Sequence, residues 1–167
     1  KEIADVLRND PRIDLITWQE DGWIHCVNAG DPTSMRFKAG GDWIDPYHQS
    51  WTVQGTEQIL DLKRESTSRR NKSRHITYGK YPDPLRRLQG ALQSHEGRFL
   101  IVTAKPGYEL AEAGAPTHSG GGAHGGLDAS ASLVPLIIYG TEKRPEFLRI
   151  VDLKAYLLDL LKSESRK

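Results

Sequence analysis

Between Ile13 and Val27 the chain alternates short runs of β-branched and aromatic residues with turn-forming pairs. Ile13-Asp14-Leu15-Ile16-Thr17-Trp18 and Trp23-Ile24-His25-Cys26-Val27 flank Asp21-Gly22, and Asp-Gly between two such runs predicts an antiparallel hairpin. Gly30-Asp31-Pro32 then turns the chain into Ser34-Met35-Arg36-Phe37-Lys38, whose alternation predicts a third strand of a meander, ended by Gly40-Gly41. Ahead of the hairpin, Ile3, Val6 and Leu7 share one helical face before Asn9-Asp10-Pro11 stops the turn.

From Asp42 to Tyr81 no hydrophobic period holds, and Trp43, Tyr47, Trp51 and Val53 are scattered among polar residues. The stretch 63–75 is basic and nearly free of apolar side chains, which predicts a solvated loop. Periodicity returns at Pro82-Asp83-Pro84, where proline opens a helix carrying Leu85, Leu88 and Leu92 on one face. Two strongly apolar runs follow, Arg98–Ala104 and Leu133–Gly140, each reading as a strand buried on both sides in a parallel sheet. The last segment, Val151–Leu161, carries Leu153, Tyr156, Leu157, Leu160 and Leu161 as a wide helical stripe. The fold class expected is therefore α/β. Residues 1–79 form a small antiparallel β-rich lobe, and residues 80–167 part of an α/β core.

Composition narrows the function classes. Lysine and arginine number 23 against 22 aspartates and glutamates, so global charge offers no case for nucleic acid as a partner. The basic stretch 63–75 lacks the stacking aromatics that single-strand binding uses. No apolar run approaches the roughly 20 residues of a membrane span. The single cysteine, Cys26, excludes an internal disulfide or a thiolate zinc cage and fits a reducing, cytoplasmic compartment. The chain begins Lys1-Glu2-Ile3 without an initiator methionine or a signal-peptide core, as expected of a piece of a longer protein.

The candidate chemistry lies between the two apolar runs, in Thr117-His118-Ser119-Gly120-Gly121-Gly122-Ala123-His124-Gly125-Gly126-Leu127. Imidazole is the commonest metal ligand, and flanking glycines let a backbone pass beneath a metal without side chains blocking the substrate. His124 suits that role better than His118. Gly120, Gly122 and Gly125 formally match G-x-G-x-x-G, but they lie far beyond a strand and precede another, which argues against a dinucleotide fingerprint.

The passage from Thr117-His118 through His124-Gly125-Gly126-Leu127 to Ser132-Leu133-Val134-Pro135-Leu136-Ile137-Ile138-Tyr139-Gly140 resembles the C-terminal element of the alkaline phosphatase superfamily, in its branch of type I phosphodiesterases and nucleotide pyrophosphatases. The stretch from Pro82 to Tyr108 is similar to the helix and strand that precede that element. The resemblance implies a two-metal site, usually zinc, at which a serine or threonine attacks a phosphate ester in line. It implies His124 as a metal ligand, with His118, Gly122 and Gly125 facing the substrate or the ligand shell. The family's nucleophile and most of its ligands lie upstream of this element and do not occur in the chain. The missing N-terminal catalytic portion is thus the expected partner. The fragment itself is expected to be inactive, to retain divalent metal poorly, and to be able to dimerise through an exposed sheet edge. The readings from other classes are a non-catalytic binding domain whose glycine-rich loop is structural, and a module that binds anions on the loop amides.

Overall fold

The hairpin forms where the sequence places it. In a computed structural model, which describes residues 2–66, 74–112, 114 and 125–164, strands β1 (Ile13–Glu20) and β2 (Trp23–Asn28) pair antiparallel with Glu20 opposite Trp23. Both turn residues have positive φ, Asp21 at 49° and Gly22 at 75°, the geometry of a type I′ turn, which matches strand twist. Ahead of it, Glu2–Leu7 is helix α1 as the pattern predicts, but it buries Ala4 and leaves Ile3 and Val6 of the expected apolar face exposed.

The third strand corrects the sequence reading. Strand β3 runs Met35–Ile44, straight through Gly40-Gly41. It pairs antiparallel with β4 (Ser50–Gly55), and the register shifts between Ala39 and Trp43. The glycines therefore make a bulge in a continuous strand. Gly41 has φ +124°, and a Cβ there would lie 2.7 Å from the Trp51 carbonyl oxygen, so close backbone approach requires glycine.

The two ends of the basic stretch form strands that its composition does not predict. Strands β5 (Leu62–Ser66) and β6 (Arg74–Tyr78) pair antiparallel, with residues 67–73 between them outside the described residues. Leu62 and Ile76 are buried, which is enough to fix the pairing, while Lys63 and Glu65 face solvent. Strand β6 joins the bent end of β3 in parallel, Trp43 opposite Arg74.

Helix α2 spans Pro84–Gln93, with proline in its first turn and Leu85, Leu88 and Leu92 buried, as expected. Strand β7 (Leu100–Ala104) differs from expectation. It pairs antiparallel with β1 at the end of the sheet. Its apolar character has another cause than a parallel interior. Ile101 packs on the main core beside α2, while Leu100 and Val102 pack on a second cluster with Ala4, Ile13, Ile16 and Val27 beneath α1. The result is a mixed α/β unit with a seven-stranded, mostly antiparallel sheet ordered β5-β6-β3-β2-β1-β7, with β4 added on β3.

The chain divides into two compact units, residues 1–133 and 134–167. A short helix, α3 (Ala129–Ser132), closes the first. From the last residue of the first unit onward, Leu133–Gly140 was expected as a buried strand, yet residues 133–139 form no ladder, with Val134 71%, Ile137 88% and Tyr139 98% exposed. An apolar run becomes a buried strand only beside partner strands, and none pairs with it among the described residues. Helix α4 (Ile150–Glu164) forms as predicted and turns Leu153, Tyr156, Leu157 and Leu160 toward residues 136–141 around a cavity of about 230 Å³. Lys143 bridges to Asp159 at 2.6 Å, and the Tyr156 hydroxyl donates to the Lys143 carbonyl. No helix among the described residues is long and apolar enough to cross a membrane.

The inner face of the sheet, α2, Tyr81 and Leu127 enclose the main core, which also holds Trp51 at 1% exposure. Trp51 is the one tryptophan of the four that is fully buried. At the edge of this core Asp45, 3% exposed, accepts five hydrogen bonds: from the Tyr47 and Gln49 amides, the Gln49 side chain, the Trp51 indole at 2.9 Å and the Tyr78 hydroxyl at 2.8 Å. A buried carboxylate without a cation is tolerated only when donors saturate it. Burial, followed by the Asp45 charge, pushes the Tyr78 phenol far above its ordinary range and keeps it a donor. Asp45→Ala should therefore cost about 3 kcal/mol or more in urea denaturation, because it strands several buried donors, whereas Tyr78→Phe should cost only about 1 kcal/mol. Equal losses from the two substitutions would show that Asp45 is not the organising acceptor.

Candidate functional site

The chain leaves the sheet at the end of β7, and beyond the glycine-rich segment the described residues resume at Gly125. On the outgoing side the Lys105 amide donates to the Arg12 carbonyl at 2.8 Å, continuing the β7–β1 edge. His118, Gly122 and His124 lie outside the described residues. Gly125 is described, with φ +101° and open space around the position of a Cβ, so backbone conformation alone, not crowding, calls for glycine there.

The returning foot is tightly held. Leu127 is 6% exposed and enters the main core. Arg87, half-buried on α2, donates to the carbonyls of Leu127 at 2.9 Å, Pro82 at 3.1 Å and Gly126 at 3.5 Å, and to the Ser132 hydroxyl at 2.8 Å. These four acceptors are neutral, and burial lowers the guanidinium pKa from its ordinary value, opposed by the Asp83 charge. The Ala129 amide donates to the Lys80 carbonyl, and Asp128 caps α3 by accepting from the Ser130 amide and hydroxyl at 2.8 Å. Those Ser130 donors hold the Asp128 carboxyl below its usual range. A loop needing a fixed base for ligands has one here.

Beside this foot β1 carries a bulge. Ile13 opposes Ala104 and Leu15 opposes Thr103, so Asp14 is the extra residue. Its carboxylate is 7% exposed and accepts from the Tyr81 hydroxyl at 2.6 Å and from Lys80 Nζ at 3.5 Å. Burial, then the Asp14 hydrogen bond, raises the Tyr81 pKa well above the ordinary phenol range, with the Asp128 and Asp61 charges adding to it. The Thr103 hydroxyl opposite is buried without a hydrogen-bond partner among the described residues. Among the described residues no three His, Cys, Asp or Glu side chains converge to hold a metal ion.

The outer face of the sheet holds a second arrangement that pattern reading passed over. Pairing places Trp18 opposite His25, His25 opposite Arg36 and Arg36 opposite Gln54. The Trp18 and His25 rings stack at 5.2 Å and 12°. The Arg36 guanidinium lies 4.4 Å and the Lys38 ammonium 4.7 Å from the Trp23 ring centre. The period-two alternation already used for β2 and β3 would have found this face had both sides of each strand been read. Cys26 points to the opposite face, where burial pushes its thiol up to about 12 and Thr17 lies at 3.5 Å.

No family model, curated protein or solved structure matches this chain. What stands on the geometry is the class: a mixed α/β unit with a mostly antiparallel open sheet, followed by a small helical unit.

Two measurements check these sites. Arg87→Met should accelerate amide hydrogen exchange at Ala129 and Leu133 more than at Ile76 in the sheet; uniform acceleration would mean that Arg87 supports the whole unit and not the loop foot. His25 is held below its ordinary pKa chiefly by burial, with Arg36 adding to the shift and Glu20 and Asp21 opposing it. The unfolded chain then binds the proton more readily, so stability is present above about pH 6.5 and lost as pH falls from there through the lower folded value. Thermal midpoints at pH 7.5 and pH 5 should differ less for His25→Gln than for the parent; an unchanged difference would place the acid sensitivity elsewhere.

Proposed function

We propose that this chain is the C-terminal part of a two-metal hydrolase of phosphate esters, a phosphodiesterase or phosphatase with an alkaline phosphatase-like core. His124 is the residue that holds one metal, zinc in the simplest case, and His118, Gly122 and Gly125 line the substrate side of the same loop. The observation that carries the reading is the clamp on Gly126, Leu127 and Ser132 by Arg87, which gives the histidine-glycine loop a rigid base two residues beyond His124. Ligand geometry must be held to about 0.5 Å for metal chemistry, and loops achieve this only when anchored.

The described residues do not themselves form a metal cage. In this reading the nucleophile and the remaining ligands come from a catalytic portion outside these 167 residues, which is the principal partner. A bound metal would polarise the phosphoryl oxygens and lower the barrier to in-line attack. Arg87 and Lys80 hold the loop foot, and Asp14 with Tyr81 fixes the adjoining sheet end. The single, fully buried Cys26 suits a reducing, cytoplasmic setting.

The test uses the longer protein that contains this chain, with zinc content measured by mass spectrometry and hydrolysis of a chromogenic phosphodiester followed in parallel. His124→Ala should remove metal and lower the rate by at least the ~10–100-fold that loss of a mere supporting residue costs. The 167-residue chain alone should show neither hydrolysis nor tight zinc. Unchanged zinc content and rate in the His124 variant would refute the assignment.

A further inference from the structure

We propose that the outer face of the sheet, centred on Trp18, Trp23, His25, Arg36 and Lys38, is a platform for single-stranded nucleic acid. This inference is independent of the hydrolase reading, because it rests on residues of β1, β2 and β3 and uses none of the glycine-rich loop.

The first support is how the face is divided. Helix α1 covers one end, where Ala4, Ile13, Ile16 and Val27 are buried together. The other end has no covering element among the described residues of the first unit; there Trp18, Trp23 and His25 are partly exposed and Arg36, Lys38 and Gln54 are exposed. Trp23 belongs to neither apolar cluster, so packing does not account for a tryptophan at that position.

The second support is charge. Arg12, Arg64, Arg74 and Arg149 each meet a carboxylate. Arg36 instead donates from Nε and Nη2 to the neutral Gln54 Oε1 at 2.9 and 2.7 Å, and Lys38 lies on the Trp23 ring. Neither has a carboxylate partner among the described residues. Two cations held against the Trp23 ring, with no anion of their own among the described residues, offer the charge complement of a phosphate backbone next to aromatic surface for bases. The near-zero net charge of the chain conceals this local separation.

The third support is shape, which favours a single strand over a duplex. An open sheet face accepts splayed bases on its rings, whereas entry into a duplex groove needs a protruding helix or ribbon. Glu20 and Asp21 border the platform at the hairpin end; Glu20 accepts from the Trp18 indole at 3.3 Å. Those carboxylates repel phosphates, so the backbone would follow the Arg36–Lys38 side and the bases would point toward Trp18 and Trp23.

The test titrates the 167-residue chain with labelled oligo(dT) and oligo(rU) of about 15 nucleotides, a duplex of equal length, and polyglutamate as a polyanion without bases. Anisotropy and tryptophan quenching report binding. The expected result is saturable binding of one or both single strands in preference to the duplex and polyglutamate, with a log–log salt slope of about −1.4 from two phosphate contacts. The double variant Arg36→Gln/Lys38→Gln should weaken binding about tenfold or more and flatten the salt slope. Trp23→Leu should weaken it by a similar factor and leave the slope unchanged. The two charged side chains are solvent-exposed, so the double variant keeps its fold, checked by circular dichroism, and decides the question even if Trp23→Leu does not fold. Absence of saturable binding to both single strands, equal binding of polyglutamate, equal or tighter binding of the duplex, or full affinity in the double variant would each overturn the proposal.

Discussion

The bond set around Asp45 holds parts of the first unit that are far apart in sequence. The carboxylate receives donors from the turn after β3, from β4 through Trp51 and from β6 through Tyr78. Gln49, one of those donors, also reaches Asp83, the residue before α2, at 3.4 Å. A charge buried this deeply is costly unless its acceptor capacity is filled, and here filling it requires these segments to be in place together. The bent end of β3, its crossing to β6 and the entry into α2 are therefore a single cooperative arrangement. Because α2 carries Arg87, the same arrangement also sets where the foot of the glycine-rich loop is held.

Legibility followed locality. The β1–β2 hairpin was readable because Asp21-Gly22 encodes the turn in two adjacent residues, and α2 was readable because Pro84 and three leucines at helical spacing encode it in a single stretch. Elements fixed by distant partners were not. Gly40-Gly41 reads as a stop, since nothing nearby reveals that Thr52 and Trp51 will press against the strand at that point. Strands β5 and β6 were hidden by charge, and only the burial of Leu62 and Ile76 gives them away. Strand β7 was legible as a strand but not in its direction, because residues covered from both sides look alike in parallel and antiparallel surroundings.

The candidate site was legible in composition and opaque in support. Two histidines among glycines stand out in any reading of 115–127, yet Arg87, which grips the end of that segment, looks in sequence like one more solvated arginine on the polar side of an amphipathic helix. Asp14 likewise reads as a polar alternation within β1, and only the pairing with β7 shows that it is the extra residue of a bulge, turned inward to Tyr81. Strand register separates Trp51, which is buried in the main core, from Trp23, which joins neither apolar cluster.

The two terminal strands of the ordered sheet are unlike in how they are guarded. Strand β5 reads Leu62-Lys63-Arg64-Glu65-Ser66, so three of its five residues carry charge. Strand β7 reads Leu100-Ile101-Val102-Thr103-Ala104 and carries none. A charged, short margin discourages the addition of a foreign strand, while an uncharged, β-branched one leaves its spare amides and carbonyls available for pairing. Among the described residues the sheet is thus polar in the directional sense: charge guards the β5 margin, and only uncharged side chains line the β7 margin from which the glycine-rich loop departs.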